Sequence, residues 1–151
     1  MSLRFPYLRV AKGQPIVTLS GRLYRPRPII GVTIVGPAGA LAQDGLLDTG
    51  ADDTLFPEHV AALVGIDLAN APQGTAGGVG QEIIPVRYAE VTVRIADNQE
   101  QREWRAWVSF GPSTRRYALL GYAGFLQYFT ATFHGDREEV ELTVNGQYPG
   151  T

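Results

Sequence analysis

Alternation of apolar and polar positions is clearest in the second half of the chain. Residues 89–95 place alanine, valine and isoleucine at odd positions and polar side chains between them. After a turn at Asp97 and Asn98, residues 104–110 alternate in the same way. A period of two is typical of half-buried strands, so these runs predict an antiparallel hairpin with one face in the core. Trp107 lies on the other face, where it fits a pocket lining or an interface equally well.

Two further hairpins follow from runs rich in β-branched residues. Residues 29–35 lead into a Gly-Pro-Ala-Gly turn, and residues 40–47 carry the chain into a second strand. Near the C-terminus, residues 130–134 and 140–144 flank a glycine-containing turn and predict the last hairpin. Residues 74–80 are dense in glycine, which is typical of a turn, and we expect them to form the tip of a mobile hairpin.

Helical patterns are short. Residues 57–65 begin with proline and end with glycine, which predicts one short helix, and the aromatic residues of 122–129 predict a second. Residues 1–28, rich in arginine and proline, predict an extended arm with one edge strand at 16–19, ahead of a main domain at 29–151. We expect seven or eight strands and an all-β fold, a closed or nearly closed barrel.

Composition narrows the class of protein. A chain of 151 residues with 44% hydrophobic residues, 18 glycines and 10 prolines predicts one globular, turn-rich domain. A net charge of −2 argues against nucleic acid as the main partner. The stretch that precedes Asp44 contains basic residues but no acidic ones. It is either a solvated arm or a surface for an anionic partner.

Several kinds of chemistry are disfavoured. Without cysteine there is no disulfide or thiolate nucleophile, and we expect a reducing, cytoplasmic location. No apolar run reaches the length of a membrane span and no secretion signal is evident, so we expect a soluble chain. His59 and His134 are far apart without a third ligand, and the glycine run lacks the lysine of a phosphate loop. We therefore expect neither a metal nor another cofactor.

The stretch with the most chemical information is 46–55, Leu-Leu-Asp-Thr-Gly-Ala-Asp-Asp-Thr-Leu. Its Asp48-Thr49-Gly50 follows two apolar strand residues, and a glycine-rich hairpin and Leu119-Leu120-Gly121 follow later in the chain. In this context and order of elements the chain resembles the retropepsin family, the retroviral proteases and their bacterial and cellular single-domain relatives.

That resemblance implies an aspartic endopeptidase acting on a peptide or protein substrate. Two carboxylates that share one proton can activate water and protonate the leaving amide. Asp48 would be the catalytic carboxylate, with Thr49 and Gly50 supporting its loop. The resemblance further implies substrate-binding residues beside the loop and in a flap that closes over the peptide, namely Ala51, Asp52, Asp53, Gly77, Gly78 and Val79.

A second copy of the chain is needed to complete such a site. Only Asp48 among the seven aspartates is followed by Thr-Gly, so a homodimer with a two-fold axis between two such loops is expected. We expect the segments 16–19 and 140–144 to pair across the interface.

One position departs from the family pattern. Retroviral proteases usually carry arginine after the apolar-apolar-glycine segment, where this chain has Tyr122 and then Ala123. In the family that arginine pairs with the acid that corresponds to Asp52. Two alternatives to an active peptidase stay open: a catalytically silent peptide-binding or interaction module, and a structural barrel in which Asp48 is incidental and only caps its own turn. For residues 74–80 the alternative to a flap is a tight hairpin.

Overall fold

A computed structural model describes residues 2–77, 82–112 and 116–150 of the chain. Its helical parts are α1, Glu58–Leu63, and two 3-10 turns at Val17–Leu19 and Leu126–Tyr128. The strands within the described ranges are β1 Ser2–Pro6, β2 Leu8–Ile16, β3 Arg22–Arg27, β4 Ile29–Gly36, β5 Gly39–Leu47, β6 Leu55–Pro57, β7 Gln73–Ala76, β8 Ile84–Ala96, β9 Gln101–Gly111, β10 Ala118–Leu120, β11 Phe129–His134 and β12 Glu139–Val144.

Six strands close into a barrel. They follow one another in the order β4-β5-β10-β6-β9-β8, and pairing of β4 with β8 closes the ring, while β7 lies along the outer part of β8. The pairs β5–β10 and β6–β9 are parallel, and the remaining pairs of the barrel are antiparallel. The prediction of an all-β, closed barrel is confirmed.

The long hairpin of β8 and β9 supplies much of the core. Val91 lies opposite Ala106 and Val93 opposite Trp104, and these side chains are buried, as the alternation predicts. Trp104 packs edge-on against Phe125 with ring centroids 5.3 Å apart, and its indole N–H donates to the carbonyl oxygen of Gly124. This cluster joins the barrel to the C-terminal part of the chain.

Two predicted elements differ from the structure. Of residues 16–19, only Ile16 belongs to a strand, because Ser20 and Gly21 take left-handed backbone angles and reverse the chain into β3. The helix predicted for 122–129 is reduced to the 3-10 turn Leu126–Tyr128, since Gly124 has a φ of +90° and interrupts any longer helix. The helix α1 is confirmed, whereas seven or eight strands was too low a number even for the described residues alone.

A second sheet has the order β1-β12-β11. Its central strand β12 pairs with β1 on one side and with β11 on the other, within the same chain. The prediction that residues 140–144 pair across a subunit interface is therefore wrong, because both edges of that strand are already occupied. The division into an arm at 1–28 and a domain at 29–151 stays a prediction.

The basic N-terminal cations lie largely on a two-stranded hairpin of β2 and β3. Arg9 of this hairpin bonds Glu138 at 3.1 Å and stacks over the ring of Tyr24 at 4.5 Å. At its base, Arg27 stacks over Tyr117, which directly precedes β10. The contacts of Arg9 with Glu138 and of Arg27 with Tyr117 tie the base of the hairpin to the rest of the chain. In the part of the chain that the structure describes, no helix is long and apolar enough to cross a membrane.

Asp97 caps the turn between β8 and β9. One carboxylate oxygen accepts the backbone N–H groups of Gln99 at 2.8 Å and Glu100 at 2.7 Å, and the other accepts the N–H of Arg4 in β1 at 3.0 Å. Burial acts to raise the pKa of Asp97, but these backbone hydrogen bonds together outweigh it and lower that pKa. The ionised carboxylate thus links the barrel to the second sheet.

We expect Asp97→Ala to lower the free energy of unfolding by about 1 kcal/mol at neutral pH, a modest loss because solvent screens this group. Since the folded-state pKa is lowered, the stabilisation is present above the unfolded-state pKa and is lost as the pH falls through the folded-state pKa. Denaturant unfolding at neutral and acidic pH measures this, with Asp97→Asn as the control that keeps an acceptor but does not titrate. A deficit of the same size at both pH values would contradict the assignment.

Candidate active site

Asp48 follows directly on β5 at a point where two parallel strands end side by side. The register pairs Leu46 with Leu119 and Leu47 with Leu120, and the N–H of Asp48 donates to the carbonyl oxygen of Leu120 at 3.0 Å. Leu47 and Leu120 point into the core. Apolar anchors thus fix the backbone immediately before the carboxylate.

The loop after β5 orients the carboxylate from its own backbone. The N–H of Gly50 donates to Asp48 Oδ1 at 2.9 Å, and the N–H of Ala51 donates to the carbonyl oxygen of Asp48 at 3.2 Å. Asp48 is half-buried, while Thr49 and Gly50 are exposed. Asp48 Oδ2 has no hydrogen-bond partner among the described residues. The loop thus holds one carboxylate oxygen of Asp48 in place.

A second loop, 121–123, supports the first through the backbone. The N–H of Tyr122 donates to the carbonyl oxygen of Ala51 at 2.9 Å, and the N–H of Ala123 donates to that of Asp52 at 2.8 Å. The approach is close enough that a Cβ on Gly121 would lie 2.6 Å from the oxygen of Ala51. Glycine is therefore required where the two loops cross.

The position where retroviral proteases carry arginine has no such brace here. The Tyr122 side chain is exposed, and the exposed carboxylates of Asp52 and Asp53 form no ion pair with any residue that the structure describes. The backbone bonds between the two loops hold this region instead of a guanidinium.

Two buried hydroxyl residues complete the support, and no role was predicted for either. Thr54 Oγ1 donates to the carbonyl oxygen of Ala123 at 2.8 Å. The backbone carbonyl oxygen of Thr54 accepts hydrogen bonds from both the N–H and the Oγ–H of Ser109, each at 2.8 Å. Both side chains are essentially inaccessible. The alternation places Ser109 on the outer face of β9, but its hydroxyl bonds the carbonyl oxygen of Thr54 and the side chain is buried. Nothing in the sequence singles them out, since Thr54 follows two aspartates and Ser109 alternates with the core positions of β9.

The predicted flap is a hairpin of β7 and β8, with Gly74 opposite Val86 and Ala76 opposite Ile84. Gly77 is exposed at the start of its tip. Gly78 and Val79, which the resemblance assigns to substrate binding, lie outside the described residues, so their role stays a prediction.

An open cleft of about 680 Å³ separates this hairpin from the start of α1. Its described lining is Pro57, Glu58, His59, Glu82, Ile83, Ile84, Pro85 and Pro112. Trp107 is exposed on the outer face of β9. Both roles considered for it, lining a pocket and forming an interface, stay predictions. No group of three potential metal ligands occurs among the described residues.

The sequence matches no protein-family model and no curated protein. Among solved structures, a retropepsin-like aspartic protease from Rickettsia conorii is 18% identical, with a TM-score of 0.54, and the match covers 91% of this chain and 99% of that one. A foamy viral protease-reverse transcriptase in complex with an RNA/DNA hybrid is 15% identical, with a TM-score of 0.41, over 67% of this chain and 12% of that one. The chain has the retropepsin-like aspartic protease fold.

Proposed function

We propose that the chain is an aspartic endopeptidase whose catalytic pair consists of Asp48 and the same residue of a second copy. The observation that carries this proposal is the hydrogen bond from the Gly50 N–H to Asp48 Oδ1, which aims a half-exposed carboxylate outward from the end of β5. Each chain offers one Asp-Thr-Gly loop, so the second carboxylate comes from a homodimer.

The reaction divides acid and base work between the two carboxyl groups. The ionised carboxylate takes a proton from water as the water oxygen attacks the peptide carbonyl carbon, and the protonated carboxyl stabilises the developing oxyanion. The pair, which now holds the proton taken from water, then donates one proton to the amide nitrogen, and the C–N bond breaks. A free acid and a free amine leave, and the pair again shares one proton. No covalent intermediate with the protein forms.

The surrounding residues would position the peptide. Thr49 and Gly50 hold the loop, while Ala51, Asp52 and Asp53 border the channel and the flap residues Gly77, Gly78 and Val79 cover it. An extended peptide between loop and flap gains backbone hydrogen bonds as an added strand. Closure of the flap removes water from the scissile bond.

A mixed peptide library tests the proposal. We expect internal cleavage that pepstatin inhibits, with new N-termini identified by mass spectrometry. Binding of peptides without any cleavage would instead support the silent peptide-binding module, for which the missing arginine at Tyr122 is the favouring observation. If peptides are neither bound nor cleaved, the structural barrel is the remaining alternative.

The rate of cleavage should fall as the pH rises out of the acidic to neutral range. A pair that shares one proton has both an acid and a base, whereas a doubly ionised pair has no proton for the leaving amide. A profile of kcat/KM against pH measures this on a single fluorogenic peptide. Activity that increases steadily into alkaline solution would contradict a carboxylate pair.

A further inference from the structure

The two outer edges of the β1-β12-β11 sheet differ in how their backbone groups are used. The N–H of Asn145 donates to the carbonyl oxygen of Tyr128, just beyond the pairing of Phe129 with Val144. Hydrogen-bonded and non-hydrogen-bonded pairs alternate along an antiparallel ladder. Residues 130, 132 and 134 therefore face β12, and residues 129, 131 and 133 face outward.

The β1 edge is closed. Its outward-facing positions are Ser2, Arg4 and Pro6, as the bond from the Arg4 N–H to the carboxylate of Asp97 shows. That bond occupies one donor, and Pro6 has no N–H to offer. A proline on the edge strand and a turn that covers the edge, here the one that carries Asp97, both prevent a sheet from extending.

The β11 edge is open. The N–H of Phe129 donates to Leu126, but the outward N–H and C=O groups of Ala131 and Phe133 have no partner among the described residues. The strand Phe-Thr-Ala-Thr-Phe-His carries no lysine, carboxylate or proline that would discourage pairing. Phe133 is 40% exposed at this edge.

We propose that this edge is where a second copy of the chain docks, β11 against β11 in antiparallel orientation, with Thr132 facing the partner's Thr132 across the two-fold axis. In that register Ala131 lies opposite the partner's Phe133 and Phe133 opposite the partner's Ala131. All four free N–H groups of the two edges then meet the four free carbonyl groups. A six-stranded sheet, β1-β12-β11 continued into its two-fold copy, results.

The side chains fit the same register. On the face shared with the core, the exposed ring of Phe133 covers the small Ala131 of the partner subunit, a large side chain against a small one. On the opposite face, the two Thr132 side chains form a cross-strand pair, flanked by Thr130 opposite the partner's His134. No like-charged pair is created along the strand.

The position of β11 is coupled to the active-site loop through a short segment. Leu126 N–H donates to Gly121 and Gln127 N–H to Tyr122, while Tyr122 N–H donates to Ala51 beside the catalytic loop. This inference rests on the proposed function, in which the active site is incomplete without a second copy. It replaces the two segments expected to pair, since one forms a turn and the other is covered on both sides.

The test places a charge on the axis. Thr132→Lys puts two cations opposite each other on an exposed face and leaves the backbone unchanged, so the dimer Kd should rise at least about tenfold at low salt, and less at high salt. Thr18→Lys, the same substitution on an exposed residue of the β2–β3 hairpin, should leave the dimer Kd unchanged. Sedimentation over a range of concentrations measures both.

Two further variants separate the interface from a folding defect. An equimolar mixture of Thr132→Lys and Thr132→Glu chains should recover the dimer, because opposite charges then meet at the axis. Ala131→Pro removes an outward N–H while sparing the bonds to β12, and should also weaken the dimer.

The outcomes for interface and function are distinct. A dimeric wild type with an unchanged Kd in Thr132→Lys overturns the interface, as does a wild type that stays monomeric at every concentration. Loss of the dimer in Thr132→Lys and its recovery in the mixture support the interface even if the wild type cleaves no peptide. In that case it is the proposed function that fails.

Discussion

Replacing Asp48 with asparagine should lower kcat/KM for peptide cleavage by roughly a thousandfold or more, because both members of the pair lose their titrating group in a homodimer. The amide is close in size to the carboxylate, and its oxygen can still accept the Gly50 N–H that fixes the side chain. The free energy of unfolding should therefore stay close to that of the wild type. Loss of activity without loss of fold is the expected signature.

The matched control is Asp44→Asn, the same substitution on an exposed aspartate of β5, the strand that precedes Asp48. It should leave both activity and stability unchanged. Kinetics on one fluorogenic peptide together with thermal unfolding of the three proteins separates the two effects. An Asp48→Asn variant that retained most of its activity would contradict the assignment of Asp48 as the catalytic carboxylate.

Local patterns in the sequence predict the barrel because long strands carry their own periodicity. The hairpin of β8 and β9 has a clean period of two, and the structure pairs the two strands without interruption from Arg87 opposite Phe110 to Ala96 opposite Gln101. The strands β6 and β10 have three residues each, too few for a period. They exist because strands distant in the sequence, in parallel and antiparallel pairs, supply their hydrogen bonds, and such neighbours leave no local signal.

The same contrast holds at the candidate site. Asp48, Thr49 and Gly50 could be singled out because they are adjacent in the sequence and their context resembles the active-site loop of the retropepsin family. Thr54 and Ser109 could not, since their roles depend on a contact across 55 residues that turns two hydroxyls into buried, satisfied donors. Buried hydroxyls such as these gain their meaning only from tertiary structure.

The expected interface segments illustrate a further limit. Strand-forming sequence near a terminus predicts pairing but does not identify the partner, and in β12 the partners are β1 and β11 of the same chain. The hydrogen bond from Asn145 to Tyr128 shows which pairs of the β11–β12 ladder are hydrogen-bonded. Only this alternation distinguishes the backbone groups of β11 that bond β12 from those that point outward. The free groups on β11 therefore became visible only with the register of the sheet.

Gly121→Ala should destabilise the fold by about 2–3 kcal/mol and lower the melting temperature by roughly 5–10 °C. The added Cβ would lie 2.6 Å from the carbonyl oxygen of Ala51 and closer still to that of Asp53. Both are backbone atoms, and the oxygen of Ala51 accepts the Tyr122 N–H, so relief requires one loop to shift.

That shift should also cost at least about a hundredfold in kcat/KM, because Asp48 bonds to Leu120, directly before the substituted residue, and catalysis is sensitive to displacements of about 1 Å. Gly31→Ala is the control, since a Cβ at this position of β4 meets nothing within 4 Å. It should leave kcat/KM unchanged and lower the melting temperature little, if at all. Equal effects of the two substitutions on melting temperature and kcat/KM would show that the crossing of the two loops does not hold the carboxylate in place.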